Sequence, residues 1–118
     1  MAMQRQNSAK WILVAGLAFV FGYFGLDKFM NPDIWIGWMP MWLEELMGFT
    51  REQWLMITGA TEMFFAIPLL IPHRRVQQAG SILVALHLLA ILTQTGWNDI
   101  AIRDIGLFLS SVALFLML

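Results

Sequence analysis

The stretch Gln53–Ile71, QWLMITGATEMFFAIPLLI, decides the reading of this chain. It is long and apolar enough to read as a membrane span, yet it carries an acid, Glu62, near its middle. An ionisable group at that depth costs roughly 2.5–3.5 kcal/mol on insertion scales. Such a group normally faces a partner or a cavity, which makes Glu62 a functional-site candidate.

Composition extends the membrane reading to the whole chain. Of 118 residues, 59% are hydrophobic and 13% charged. A soluble domain carries about 25% charged residues. The expectation is one integral membrane domain over residues 1–118. A net charge of -1 offers no basic field for nucleic acid. With no cysteine, disulfides, thiol redox chemistry and iron–sulfur ligation are excluded.

A bilayer core of about 30 Å needs about 20 helical residues. Four segments qualify: 11–30, 53–71, 76–95 and 98–118. The predicted fold is an all-α four-transmembrane-helix bundle. Arg5 and Lys10 precede the run from Trp11 to Phe24 without a small-x-small cleavage site, which reads as an uncleaved signal anchor. Arg74 and Arg75 occupy a short loop without acids, whereas Asp27, Asp33, Glu44, Glu45, Glu52, Asp99 and Asp104 gather on the other side. The positive-inside rule then places both termini in the cytoplasm of a multi-pass protein.

Pro72-His73-Arg74-Arg75 predicts a tight turn joining spans two and three as an antiparallel hairpin. Between spans one and two, the Asp33–Leu43 stretch carries Trp35, Trp38 and Trp42. Tryptophan favours the headgroup level, so this reads as an interfacial segment, either an anchor or a lid. Small residues mark helix contacts in lipid. Ala18, Gly22 and Gly25 in span one, Gly59 and Ala66 in span two, and Gly106, Ser110 and Ala113 in span four predict the packing faces.

At about 1.5 Å per residue, Glu62 lies about 13 Å below the outer surface and His87 about 12 Å. Adjacent antiparallel spans thus carry an acid and an imidazole at matching depth. Thr58 and Thr61 share the Glu62 side, and Gln94 lies outward of His87. Lys28 closes span one, while Arg103 and Asp104 open span four, with Arg103 expected to point into the bundle. Arg103 and Lys28 are the expected counter-charges of Glu62, and Glu62 with Arg103 or Lys28 with Asp104 could also serve only to fix helix register. The pattern predicts a polar pocket at the outer end above an apolar inner half. A network that only pins the helices is the alternative. No metal site is expected: there is no Glu-x-x-His for a di-iron centre, and one acid with one histidine makes a poor zinc site. A phosphate loop and a Ser-His-Asp set are also absent from the sequence.

Three groups of residues resemble a known family. Gly22-Tyr23-Phe24-Gly25-Leu26-Asp27-Lys28-Phe29 with Pro32 and Trp35, then Gly59-Ala60-Thr61-Glu62, then Ile102-Arg103-Asp104-Ile105-Gly106-Leu107 resemble the DoxX family of small four-helix membrane proteins. The resemblance implies a bacterial-type inner membrane and a link to redox chemistry. On that basis the chain is expected to be a membrane subunit of a quinone-linked system, more an oxidoreductase subunit than an enzyme alone. Quinone is then the candidate ligand, with no cofactor covalently bound. Glu62 and His87 become candidate proton carriers, and Lys28, Arg103 and Asp104 the ligand-binding or structural ion network. Partners would be the lipid bilayer, redox-enzyme subunits and further copies of the chain. A structural or assembly subunit is the alternative function. A small proton-coupled transporter is a lesser one, because the single membrane glutamate resembles that of multidrug exporters but sits in a different helix.

Overall fold

The computed structural model describes residues 2–95 and 97–118. Helix α1 spans Ala2–Met30, α2 is the single turn Pro32–Trp35, α3 spans Arg51–Leu70, α4 spans Arg74–Thr95 and α5 spans Asp99–Met117. Two 3-10 turns, Ile36–Trp38 and Met41–Glu45, continue from α2. Among the described residues there is no strand, and α1, α3, α4 and α5 are each long and apolar enough to cross a membrane.

The long helices form a ring in the order α1, α3, α4, α5 and back to α1. Each buries a seam with near-heptad spacing. The seams are Val14, Leu17, Phe21, Gly25 and Lys28 in α1, and Leu55, Gly59, Glu62, Ala66 and Leu69 in α3. In α5 the buried residues are Ala101, Asp104, Ser111 and Leu114. This spacing keeps one stripe facing the partner along a left-handed crossing. Lys28, Glu62 and Asp104 therefore occupy positions that the pattern otherwise fills with small or apolar side chains. The outward faces are apolar too, with Ile12, Phe19, Phe64, Leu86, Leu109 and Leu116 all exposed. A helix apolar on every side suits a nonpolar surrounding.

Helix ends agree with the sequence expectation to within two residues, except at α1. That helix begins at Ala2 rather than Trp11. Residues 2–10 contain no proline or glycine, and helix propensity does not stop where hydropathy does. Thr50 and Gln53 close a reciprocal capping box at the start of α3, a Thr-x-x-Gln signal the sequence analysis passed over. Asn98 caps α5 by accepting from the Ala101 amide at 3.0 Å. The hairpin turn is three residues, Ile71 to His73, and the His73 ring Nδ1 accepts from the Val76 amide at 3.4 Å.

The small-residue faces are partly as expected. A Cβ on Gly25 would meet the Gly59 carbonyl oxygen at 2.7 Å, and one on Gly59 would meet the Gly25 carbonyl at 2.8 Å. These two glycines are the α1–α3 crossing. Gly22 and Gly106 are not packing sites, because a Cβ there would meet nothing within 4 Å. In α5 the exposed face holds Gly106 and Ala113, and the bundle face holds Ala101, Asp104 and Ser111. Both stripes contain small residues, so residue size alone does not separate them. Gly80, not singled out from sequence, lets α4 pack onto Pro68 and Leu69 of α3, where a Cβ would meet Pro68 Cβ at 2.9 Å.

The half of the bundle at the hairpin turn is not purely apolar. Gln77, Ser81 and Ser111 are buried there. Gln77 Nε2 donates to the Leu69 carbonyl at 2.9 Å, which gives a partner to a carbonyl left open at the end of α3. Both serine hydroxyls donate to carbonyls of their own helices.

Candidate functional site

The site is set by the glycine crossing. Lys28 follows Gly25 by three residues and Glu62 follows Gly59 by three, so close backbones bring the two side chains face to face. Lys28 Nζ lies 2.7 Å from Glu62 Oε1, with side chains only 8% and 6% exposed. The ammonium also donates to the Phe24 carbonyl at 3.4 Å and sits 4.2 Å from the centre of the Trp35 ring. Lys28 is thus surrounded by one charge, one carbonyl and one aromatic face.

His87 approaches from α4. Its Nε2 is 3.8 Å from Glu62 Oε1, too far to close a hydrogen bond. The imidazole packs at steep angles against two rings, with centroids 5.7 Å from Phe21 and 5.8 Å from Phe65. His87 Nε2 is buried without a hydrogen-bond partner, whereas Glu62 Oε1 has the Lys28 ammonium at 2.7 Å. Buried polar atoms in that state are rare and call for a reason.

Arg103 and Asp104 form the other ion pair, and they pair with each other. Arg103 Nε and Nη2 donate to Asp104 Oδ1 at 3.2 and 3.0 Å. Of the two counter-charges expected for Glu62, Lys28 meets it, whereas Arg103 pairs with Asp104 instead of reaching Glu62. Asp104 is in the seam, whereas the Arg103 side chain is 41% exposed and only partly turned toward the bundle. Its guanidinium folds over the Phe24 ring at 4.8 Å.

Four of these groups, without His87, line a cavity of about 50 Å³ at the Trp-rich end of the bundle. Lys28, Glu62, Arg103 and Asp104 line it together with Thr58 and Gln94, and Phe24, Leu55, Leu88 and Ile91 supply apolar wall. Trp35, Trp38 and Met39 form its cover. The cover is tied down at several points. Trp35 Nε1 donates to Asp27 Oδ2 at 2.8 Å, and Trp54 Nε1 donates to the Leu43 carbonyl at 2.8 Å. Met39 and Leu43 are buried against Leu55. Of the two readings of the Trp-rich segment, the geometry adds the lid. Trp42 and Met41 remain exposed on its far side.

Sequence reasoning found the five charged and histidine groups and their shared end of the bundle. It offered the lid as one of two readings of the Trp-rich stretch without singling out Trp35, Trp38 and Met39, and it missed the Phe21 and Phe65 rings beside His87. Thr61 donates to the Thr58 carbonyl and is not a cavity residue.

No curated protein and no solved structure matches the chain. Residues 17–95 match a family described as a domain of unknown function, DUF8561. The match runs from within α1 to the end of α4, so it includes Lys28, Glu62 and His87 and stops before Arg103 and Asp104. It overturns the resemblance to DoxX, whose recurring Gly-x-x-Lys, Gly-x-x-Glu and Arg-Asp pieces are short enough to arise in an unrelated bundle. By a match over two thirds of its length, the chain belongs to the DUF8561 family.

Proposed function

We propose that this chain is a multi-pass membrane protein that binds a small polar ligand in the cavity beneath the Trp-rich cover. Four long apolar helices with apolar outward faces support the membrane reading. The short Arg74-Arg75 turn supports cytoplasmic termini, which would open the cavity to the opposite side. The observation that carries the ligand reading is His87 Nε2, buried without a hydrogen-bond partner and 3.8 Å from Glu62, itself in the wall of a cavity lined by two basic and two acidic side chains. A cluster that only pinned helices would be expected to satisfy its own polar atoms.

The quinone and redox-subunit readings drew their support from the DoxX resemblance and lose it. Size also argues against a quinone ring, since a cavity that holds benzene is about 150 Å³. The test is thermal melting of detergent-purified protein with a panel of small anions, acids and amides. A stabilising shift from at least one class, lost in Glu62→Gln, is expected. If no member of the panel shifts the melting point, the ligand reading falls.

One observation favours a structural role for part of the cluster. Lys28 and Glu62 meet directly at the Gly25–Gly59 crossing, where an ion pair would fix the register of α1 against α3. An assembly role would leave melting insensitive to every probe while Glu62→Gln weakened the fold.

A further inference from the structure

We infer that the open groove between α4 and α5, at the hairpin-turn end of the bundle, holds one anionic phospholipid. Its phosphate lies against Arg74 and Arg75, and an acyl chain runs along Ile82 and Phe115. The inference rests on the membrane reading of the chain and is independent of the ligand reading of the cavity beneath the cover.

The sequence sets the charge. No acidic side chain occurs before Asp27, between Glu62 and Asp99, or after Asp104. Arg5, Lys10, Arg74 and Arg75 lie in these acid-free stretches. The fold gathers them at one end, because Val14 and Leu17 of α1 share a core cluster with Leu69 of α3 and Leu114 of α5. All eight acids fall toward the other end, with Lys28, Arg51 and Arg103 among them. A boundary of one sign draws lipid of the opposite charge, and the acidic end repels the same lipid.

The groove gives that charge a place. Arg74, Gln78 and Ile82 recur at i, i+4 and i+8 on α4, so they share one face, with Arg75 and Ala79 beside them. Phe115 adds a wall from α5. At about 1.5 Å per residue, Ile82 lies about 12 Å deeper than Arg74. The lining thus runs from guanidinium to carboxamide to hydrocarbon, the order of phosphate, glycerol ester and acyl chain in a phospholipid. Ile82 and Phe115 are exposed, so both can touch a chain. The groove's volume of about 530 Å³ exceeds the roughly 150 Å³ that encloses benzene, so a headgroup and the first chain carbons fit together.

Water alone would satisfy either exposed arginine. A lipid is selected by the combination of two adjacent cations, an acid-free surround and an apolar floor directly below. Guanidinium also matches phosphate oxygens in a two-point fork. The surface beside Arg5 lacks this combination. It has one cation and one large apolar residue, Ile12, among Gln4, Ser8 and Ala9.

The test reconstitutes the full chain in nanodiscs of phosphatidylcholine with phosphatidylglycerol as a minor component. Native mass spectrometry after gentle extraction then counts the lipids retained per chain. One phosphatidylglycerol per chain is expected, enriched about tenfold or more over its share of the disc, since each cation near the surface adds about fivefold. Arg74→Gln with Arg75→Gln should abolish the enrichment. Arg5→Gln with Lys10→Gln removes the same charge from the same end and should keep most of it. Inorganic phosphate at matched ionic strength should not displace the lipid. No enrichment on the wild-type chain overturns the inference. Equal loss in the two double variants also overturns it, because a diffuse field would then suffice, and so does displacement by phosphate, which marks a simple anion site. Should the Arg74, Arg75 variant misfold, the wild-type enrichment and the phosphate arm still decide. A wild-type chain that does not enter the discs overturns the membrane reading and this inference together.

Discussion

Replacing Gly25 with alanine should destabilise the bundle, while the same change at Gly22, one turn earlier on α1, should not. A Cβ at Gly25 would lie 2.7 Å from both the Gly59 carbonyl oxygen and Met63 Cγ, against an ordinary contact of 3.4 Å or more. Met63 Cγ can move, but Gly59 is backbone. The helices must therefore separate by about 0.7 Å at the crossing, and the Lys28–Glu62 contact of 2.7 Å must stretch with them. Overpacking of this kind costs about 1–3 kcal/mol. Both substitutions gain the same helix propensity, about 0.8–1 kcal/mol relative to glycine. Because a Cβ at Gly22 meets nothing within 4 Å, Gly22→Ala keeps that gain. The difference between the two variants thus isolates the crossing, at about 1–3 kcal/mol. Thermal or denaturant melting in one detergent, followed by circular dichroism, measures it. Equal stability of the two variants would refute the claim that Gly25 and Gly59 are the contact that positions the site.

Other outcomes follow from the same geometry. Lys28→Met leaves Glu62 buried without its cation and should cost about 3–5 kcal/mol of stability, whereas Lys28→Met with Glu62→Leu should recover most of it; a double variant as unstable as the single would contradict the pairing. Trp35→Ala removes the hydrogen bond to Asp27 and the ring over Lys28, so limited proteolysis should cut residues 31–50 faster, with unchanged cutting counting against a tied cover. Since the chain lacks cysteine, single cysteines at Ser8 and Trp42 give clean topology labels: a membrane-impermeant reagent on intact cells should reach position 42 and not position 8, and the reverse pattern would invert the orientation.

Much of the site was legible because an acid in an apolar helix has few harmless places to go. Glu62 and His87 were matched by depth alone, and the structure brings them to 3.8 Å. Pairing was less legible. Neighbouring side chains on a helix do not ordinarily face each other, so Arg103 and Asp104 were assigned partners on other helices. The arginine is long enough to fold back onto its neighbour, and that frees Glu62 for Lys28. The α5 packing face was misread because Gly106-Ser110-Ala113 and Ala101-Ser111 are both plausible stripes, and only the placement of Asp104 in the seam separates them. The cover was legible only as one of two readings, anchor or lid, and not residue by residue. Trp35 and Trp38 reach the site through turns whose geometry depends on where Leu43 and Met39 bury, and no local pattern encodes that.

The central claim is that the cavity beneath Trp35 and Trp38 receives a ligand and that its charges do more than hold helices together. The most direct measurement compares the wild-type chain with the Lys28→Met, Glu62→Leu double variant, each melted with and without saturating ligand from the small-molecule panel. A ligand bound only by the native state raises stability by about 2.7 kcal/mol at a hundredfold excess over its dissociation constant. The account predicts that shift in the wild-type chain and its absence in a double variant that still folds. A wild-type chain that melts identically with every probe, or a double variant that keeps the full shift, would contradict it.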